Sequence, residues 1–402
     1  MADQDDHAPR PMKRKTRDND EQGESSRRKR RADFRDAEDL ANVNYCFEHG
    51  LRKVKPYYFK YQAYAKGRWL GRKIIDVFTS EFRDRNEAYY NRAIEKGLVT
   101  INGEKVDVDT VVRNGDVIGH QIHRHEPPAT DKPIRIVYEQ KDLYVIDKPG
   151  GIPVHPAGRY RHNTVLHVLR KQYNIETLYP ANRLDRLTSG LMLIALNSQR
   201  AKELEQEMSQ GKIQKEYVCR VEGEFPEEQV VCEAPIKVIS FKLSLNYVHE
   251  DGKPCKTIFE RIGYDGKTSI LRCKPLTGRT HQIRVHLRYL GYPIANDPLY
   301  GNQTSWAPML QTSHTMTEPE AQTVQQKLLQ NCAEEELELP TDDGRCSDCG
   351  VALMADPKPD ELYIWLHAWR YSGNGWSYET ELPEWAKVAE INHEQDTVQT
   401  ST

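Results

Sequence analysis

The sequence predicts an α+β protein: a small basic α/β module followed by a larger mixed α/β domain. Three observations predict it. Leu191 to Leu196 is a continuous apolar run of strand length between Gly190 and Asn197, so it reads as a buried strand. Residues 214–301 alternate strand-like stretches with turns. Residues 52–124 combine a glycine-capped helix with a hairpin signal and carry 15 Lys and Arg against 9 Asp and Glu, inside a chain whose net charge is −3.

At 402 residues the chain is long enough for two or three domains and a large core. With so small a net charge, contact with a nucleic acid has to come from a local patch. No apolar run reaches the roughly 18 residues of a membrane span. The first twelve residues contain Asp3, Asp5 and Asp6 and no apolar stretch, which argues against a signal or transit peptide. Mitochondrial import is therefore not expected, and nucleus or cytoplasm is. The eight cysteines are read as reduced thiols of an intracellular protein.

Residues 1–50 are polar and charged, without apolar periodicity, and are expected to be disordered. They hold two basic clusters, Lys13-Arg14-Lys15 with Arg17 and Arg27 to Arg31. That spacing suits a two-part nuclear import signal, which makes an import receptor an expected partner; a solvated charge run or an RNA tether accounts for it equally well. In 52–124, the helix ending Arg92 to Lys96 stops at Gly97, and Leu98 to Ile101 leads into an Asn102-Gly103 turn. Tyr57, Tyr58, Phe59, Tyr61 and Tyr64 interleave with Lys55, Lys60 and Lys66. Such rings either stack on bases while the lysines hold phosphates, or pack in the core or between domains.

A proline-marked linker runs from His125 to Pro133. Ile134 to Tyr138 and Leu143 to Ile146 read as strands, and Lys148 to His155 as a Gly/Pro-rich loop. Asn163 or Thr164 caps one helix, and Ser198 caps a second that ends at Gly211. Residues 302–360 hold eight acidic residues between Thr317 and Gly344 against Lys327 alone, so they read as a partly disordered insert. Residues 361–386 are apolar and aromatic again and are expected to return to the main domain as a late strand pair; 387–402 form a tail.

The chemistry is placed at Pro180 to Leu196. Asp185 lies between Arg183 and Arg186 at the mouth of the buried strand, where neighbouring cations favour the carboxylate. It suits a nucleophile, an electrostatic stabiliser or a metal ligand, and equally a structural ion pair.

Asn182-Arg-Leu-Asp-Arg-Leu-Thr-Ser-Gly190 resembles the H-R-L-D-x-x-T-S-G signature of the RluA-type pseudouridine synthases, with Asn182 where that family usually has His. Gln214 to Gly223 resembles the family's K-x-Y strand, and Pro275 to His286 its G-R-T-H-Q-I-R-V-H segment. The resemblance covers about residues 131–301, and it extends toward eukaryotic members with an N-terminal RNA-binding module. Residues 52–124 resemble the αL RNA-binding fold. The resemblance implies a catalytic domain over 131–301 with a mixed, largely antiparallel sheet. It implies conversion of uridine to pseudouridine in RNA, either tRNA (an anticodon-loop uridine such as position 32) or messenger RNA, without a cofactor. Asp185 is then the essential carboxylate, Arg284 the arginine that pairs with it, and Tyr217 the ring against the target base. Arg183 is the candidate to fill the space of a flipped base. Arg186, Arg279 and Lys274 are candidate RNA contacts.

Other chemistries match less well. A catalytically silent RNA-binding protein on the same scaffold is the main alternative, and Asp185, Tyr217 and Arg284 all being present weighs against it. A two-metal nuclease lacks clustered carboxylates near Asp185. Gly263 to Thr268 lacks P-loop spacing, and no G-x-G-x-x-G follows a strand. His281 and His286 fall on different helix faces. Cys346-Ser-Asp-Cys349, with Cys332 nearby, is a weak match to a zinc site, and no metal is expected.

Overall fold

The structure is a computed structural model that describes residues 43–387, apart from 83–85, 241–242, 307–314, 338–343 and 354; for 331–337 it describes the backbone alone. Both basic clusters of the N-terminal tail lie outside the described residues, as does the side chain of Cys332.

Order begins inside the stretch expected to be disordered. Strands β1 (Tyr45–Glu48) and β2 (Leu51–Val54) form a hairpin, joined by β7 (Ala129–Thr130). The reason is Tyr45. Its ring packs on the core of the main domain, and its hydroxyl donates to the His162 carbonyl at 2.9 Å.

A second sheet has the order β3-β6-β4-β5, with β3 (Tyr57–Tyr64), β4 (Val99–Ile101), β5 (Glu104–Lys105) and β6 (Val117–Arg124). Helices α1 (Ile74–Glu81) and α2 (Glu87–Glu95) cover it through Ile74, Phe78, Tyr90 and Ile94, joined by Trp69 from the turn before α1. Asn102 and Gly103 both have positive φ, the geometry of the two-residue turn that joins β4 to β5. The linker after β6 is pinned. Glu126 is buried and accepts from the Tyr57 hydroxyl and from the backbone N–H groups of Arg161, His162 and Asn163. Burial opposes its charge, but those donors outweigh burial and hold its carboxyl below the usual range.

The main domain contains β8 (Arg135–Gln140), β9 (Leu143–Lys148), α3 (Val165–Tyr173), β10 (Tyr179–Pro180), β11 (Ser189–Ala195), α4 (Ser198–Ser209), β12 (Gln214–Glu222) and β13 (Val230–Cys232). It continues with the β14 (Ile236–Ser240) and β15 (Leu245–Val248) hairpin, β16 (Thr257–Tyr264), β17 (Thr268–Pro275) and α5 (Gln282–Tyr289). Then come α6 (Gln303–Trp306), α7 (Glu318–Leu337), β18 (Leu366–Gly373) and β19 (Trp376–Glu379). Ten strands form one sheet with the path β13-β16-β17-β12-β18-β11-β9-β8, to which β10 and β19 add. All its pairings are antiparallel except β11 with β18. The fold is the α+β class expected, with a mixed, largely antiparallel sheet.

Two local expectations differ. Asn197, not Ser198, caps α4, its side chain accepting from Arg200 N at 2.8 Å. The acidic insert carries α7, a helix of 20 residues. Ala321, Val324 and Leu328 sit at helical spacing and bury against Trp306 and Met316, which offsets the charge of the segment. The returning chain enters the sheet as the antiparallel pair β18 and β19. β18 inserts between β12 and β11 at its centre. Gly190 (φ +111°) permits this, because a Cβ there would lie 2.2 Å from the Ala368 carbonyl oxygen.

Candidate active site

Asp185 lies on the loop between β10 and β11, and the end of β9 locks that loop. The Lys148 side chain is fully buried, and its Nζ donates to the carbonyls of Pro149 (2.9 Å), Ile152 (3.0 Å) and Arg186 (3.2 Å). Gly151 N donates to the same Arg186 carbonyl at 2.7 Å. Two loops are thus tied through one side chain. Burial pulls the Lys148 pKa down to about 7, with the Asp185 charge acting the other way.

Helix α5 supplies the partner. Arg284 Nη1 donates to Asp185 Oδ2 at 3.0 Å. The bidentate arrangement of this guanidinium is made elsewhere: Nε and Nη2 bond the two oxygens of Asp297 at 2.6 and 2.9 Å. Asp297 is buried, and its Oδ1 also accepts from Leu299 N and Tyr300 N. The Tyr300 ring stacks 4.9 Å from the Arg284 guanidinium. Burial alone would lower the Arg284 pKa; Asp297 outweighs it, and Asp185 adds to the effect, so the group is held more firmly charged than a free arginine. One oxygen of Asp185 is thereby anchored, while the side chain stays 30% exposed.

His281 precedes α5 in the left-handed conformation (φ 59°), with Nδ1 on the Tyr300 hydroxyl at 2.9 Å and Nε2 3.6 Å from Asp185 Oδ2. Burial lowers its pKa to about 4, so at neutral pH the ring is uncharged and the contact is not an ion pair. His286 bonds instead to Thr257 and the Ala234 carbonyl.

Tyr217 on β12 is half-buried, and its hydroxyl lies 2.8 Å from that of Tyr371. Burial, with the Asp185 charge, raises its pKa to about 12 against the lowering effect of the Tyr371 bond, so the hydroxyl stays protonated near neutrality. Asn182 joins this chain. Its Nδ2 donates to the Tyr371 hydroxyl (3.1 Å) and its Oδ1 accepts from Leu193 N (3.1 Å). The departure from the family pattern at 182 therefore sits in a satisfied network.

The structure brings Asp185, Arg284 and Tyr217 to one site. It separates the basic candidates by environment. Arg183 is exposed and makes no ion pair among the described residues, with His155 close enough to feel its charge. Arg186 contacts Tyr160. Arg279 is exposed and donates to the Pro254 carbonyl. Lys274 is paired with Glu260 at 3.2 Å, an oxygen acid it shares with Arg272. Sequence reasoning missed Asp297 and Lys148. α5 holds two arginines and no acid, which calls for a carboxylate from outside the helix but does not single out Asp297.

Residues 142–289 match the family model for RNA pseudouridylate synthase. The tRNA pseudouridine(32) synthase, mitochondrial, of Saccharomyces cerevisiae is 46% identical over 84% of this chain and 77% of its own. The chain belongs to the RluA family of RNA pseudouridine synthases. The pseudouridylate synthase RPUSD2 of Mus musculus is 39% identical over 87% of this synthase and 74% of its own length. The tRNA pseudouridine(31) synthase of Saccharomyces cerevisiae is 34% identical, over 85% and 96%. The synthase is thus an isomerase acting on RNA. One expectation falls: the acidic opening residues do not argue against mitochondrial import, since the first of these relatives is itself a mitochondrial enzyme. A few acidic residues at the start of a tail that also holds two basic clusters do not decide its destination.

Proposed function

We propose that this synthase isomerises uridine in the anticodon stem-loop of tRNA, with position 32 as the first site to examine, and that Asp185 is its essential carboxylate. The anchored pair of Arg284 and Asp185 carries the reading. The reaction breaks the bond from uracil N1 to the sugar C1′, turns the base, and joins C5 to C1′; the proton leaves C5 and N1 gains one. A carboxylate serves this by adding to the sugar, adding to the ring or removing a sugar proton. Each route uses an oxygen left open while the other is fixed, which matches Asp185 held by one guanidinium nitrogen. Tyr217 is the candidate ring to lie against the base, and its protonated hydroxyl suits it to donate rather than accept a proton. Arg183, two residues from Asp185 and exposed, is the candidate to occupy the stack after base flipping. Arg186, Arg279 and Lys274 are secondary candidates for phosphate contacts; Lys274 would first have to leave Glu260.

The module over 52–124 is proposed to add RNA affinity through the exposed face of β3, where Tyr58 and Tyr64 alternate with Lys60. Tyr57 and Phe59 face inward, against Glu126 and Arg161.

Pseudouridine mapping of total RNA from cells lacking the chain, rescued with the natural protein or with Asp185→Asn, tests the reading. tRNA sites restored only by the natural protein are expected. Restoration by both forms would overturn the role of Asp185. Loss confined to messenger RNA would move the substrate to that class.

A further inference from the structure

We propose that His123, His125, Cys346 and Cys349 bind one structural zinc ion that clamps the N-terminal module to the segment leading back into the central sheet. The four ligand atoms all lie within 4.8 Å of one another. The separations are 3.2 Å between His123 Nδ1 and His125 Nε2, 3.3 Å between His125 Nε2 and Cys349 Sγ, and 3.4 Å between Cys346 Sγ and His123 Nδ1. A tetrahedral zinc ion with Zn–S bonds of about 2.3 Å and Zn–N bonds of about 2.0–2.1 Å sets its ligand atoms about 3.3–3.8 Å apart. Three of the six edges are thus already close to the length the ion needs. Two thiolates and two imidazoles in that arrangement select zinc by softness and geometry.

Each half of the site has a local reason. β6 runs to Arg124 and His125 continues it, so the strand period of two puts both imidazoles on one side. Arg124 points away, donating to the carbonyls of Gly158 and Arg159. The cysteines sit on a tight hairpin. Cys346 N donates to Val351 O at 2.9 Å, Gly350 N to Cys346 O at 2.8 Å, and Arg345 bridges Ala352. The backbone N–H groups of Asp348 and Cys349 also point at the Cys346 sulfur, as they do around a thiolate ligand. The outer nitrogen of His123, Nε2, faces Asp348 Oδ2 at 3.8 Å, where a carboxylate orients a ligating imidazole.

The hairpin also lacks any other means of attachment by burial. From residue 344 to 353 no side chain is buried, so apolar packing does not hold it. A metal supplies that energy where a core is missing. The isolated C-x-x-C of the sequence is completed by a His-x-His more than two hundred positions earlier.

Elemental analysis of the full untagged chain, purified without chelators, tests the site. One zinc per chain is expected, with X-ray absorption at the zinc edge reading two sulfur and two nitrogen neighbours. Cys346→Ser with Cys349→Ser should remove the metal, and Cys46→Ser should keep it. Absence of zinc together with no uptake of added Zn²⁺ or Co²⁺ would overturn the proposal. So would zinc retained in the double variant, or a neighbour set without sulfur. The absorption measurement uses the natural chain, so misfolding of a variant does not blur the result.

Discussion

Arg284 shows how a single side chain can be divided between structure and chemistry. Two of its three nitrogens are committed to Asp297, and the third fixes Asp185. Asp297 compensates the charge of the cation in a buried place, and under the role proposed for Asp185 it is a positioning residue that aims that cation. Replacing one partner of a buried pair leaves the other uncompensated, at a cost of about 3–5 kcal/mol. Asp297→Asn is therefore expected to lower the melting temperature and to reduce kcat far more than it changes KM. A variant that binds RNA normally, melts normally and turns over normally would remove Asp297 from this role. Arg284, Asp185 and Tyr217 were legible through the resemblance of their motifs to those of the family. Asp297 was not, because nothing in the Asn296-Asp297-Pro298 stretch announces a counter-ion. Lys148 was hidden for a related reason: three backbone carbonyls, which no sequence pattern names, are what satisfy it.

At the scale of elements, the buried strand β11 was evident from its apolar run, but its neighbour was not. β11 meets β9 on one side and β18, from far along the chain, on the other. Only two residue pairs make the parallel contact, Ser189 with His367 and Gly190 with Ala368. Gly190 is required twice, by its left-handed φ and by the backbone of Ala368 against it. Gly190→Ala should cost about 3 kcal/mol or more, since overpacking and backbone strain add. Equilibrium denaturation would show it, and an unchanged midpoint would mean that β18 shifts freely. The helix α7 teaches the opposite lesson. Its charge suggested disorder, while three apolar residues at helical spacing were enough to seat it.

At the scale of the whole molecule, buried imidazoles set the response to acid. His162, His281 and His367 each have a pKa lowered to about 4, burial being the main cause. The unfolded chain titrates them near their ordinary value of 6.5. Between those limits the unfolded state binds protons that the folded state refuses. Stability should then fall as pH drops from about 6.5 to 4, by up to about 3 kcal/mol for each ring. Melting temperatures across that window measure it, and His367→Asn should flatten the slope. A melting temperature that holds level to pH 4 would contradict it.

The sequence by itself marked the family, through the resemblance of three ordered motifs, and the α+β class, through apolar runs and turns that can be read along the chain. It also marked Asp185, since an acid between two arginines at the mouth of an apolar strand is visible locally. Only the tertiary structure decided which groups meet: Asp297 with Arg284, Tyr371 with Tyr217 and Asn182, and His123 and His125 with Cys346 and Cys349. Hydrogen bonds, ion pairs and metal ligation act over a few ångströms of space, and positions far apart in the chain come that close only after it has folded.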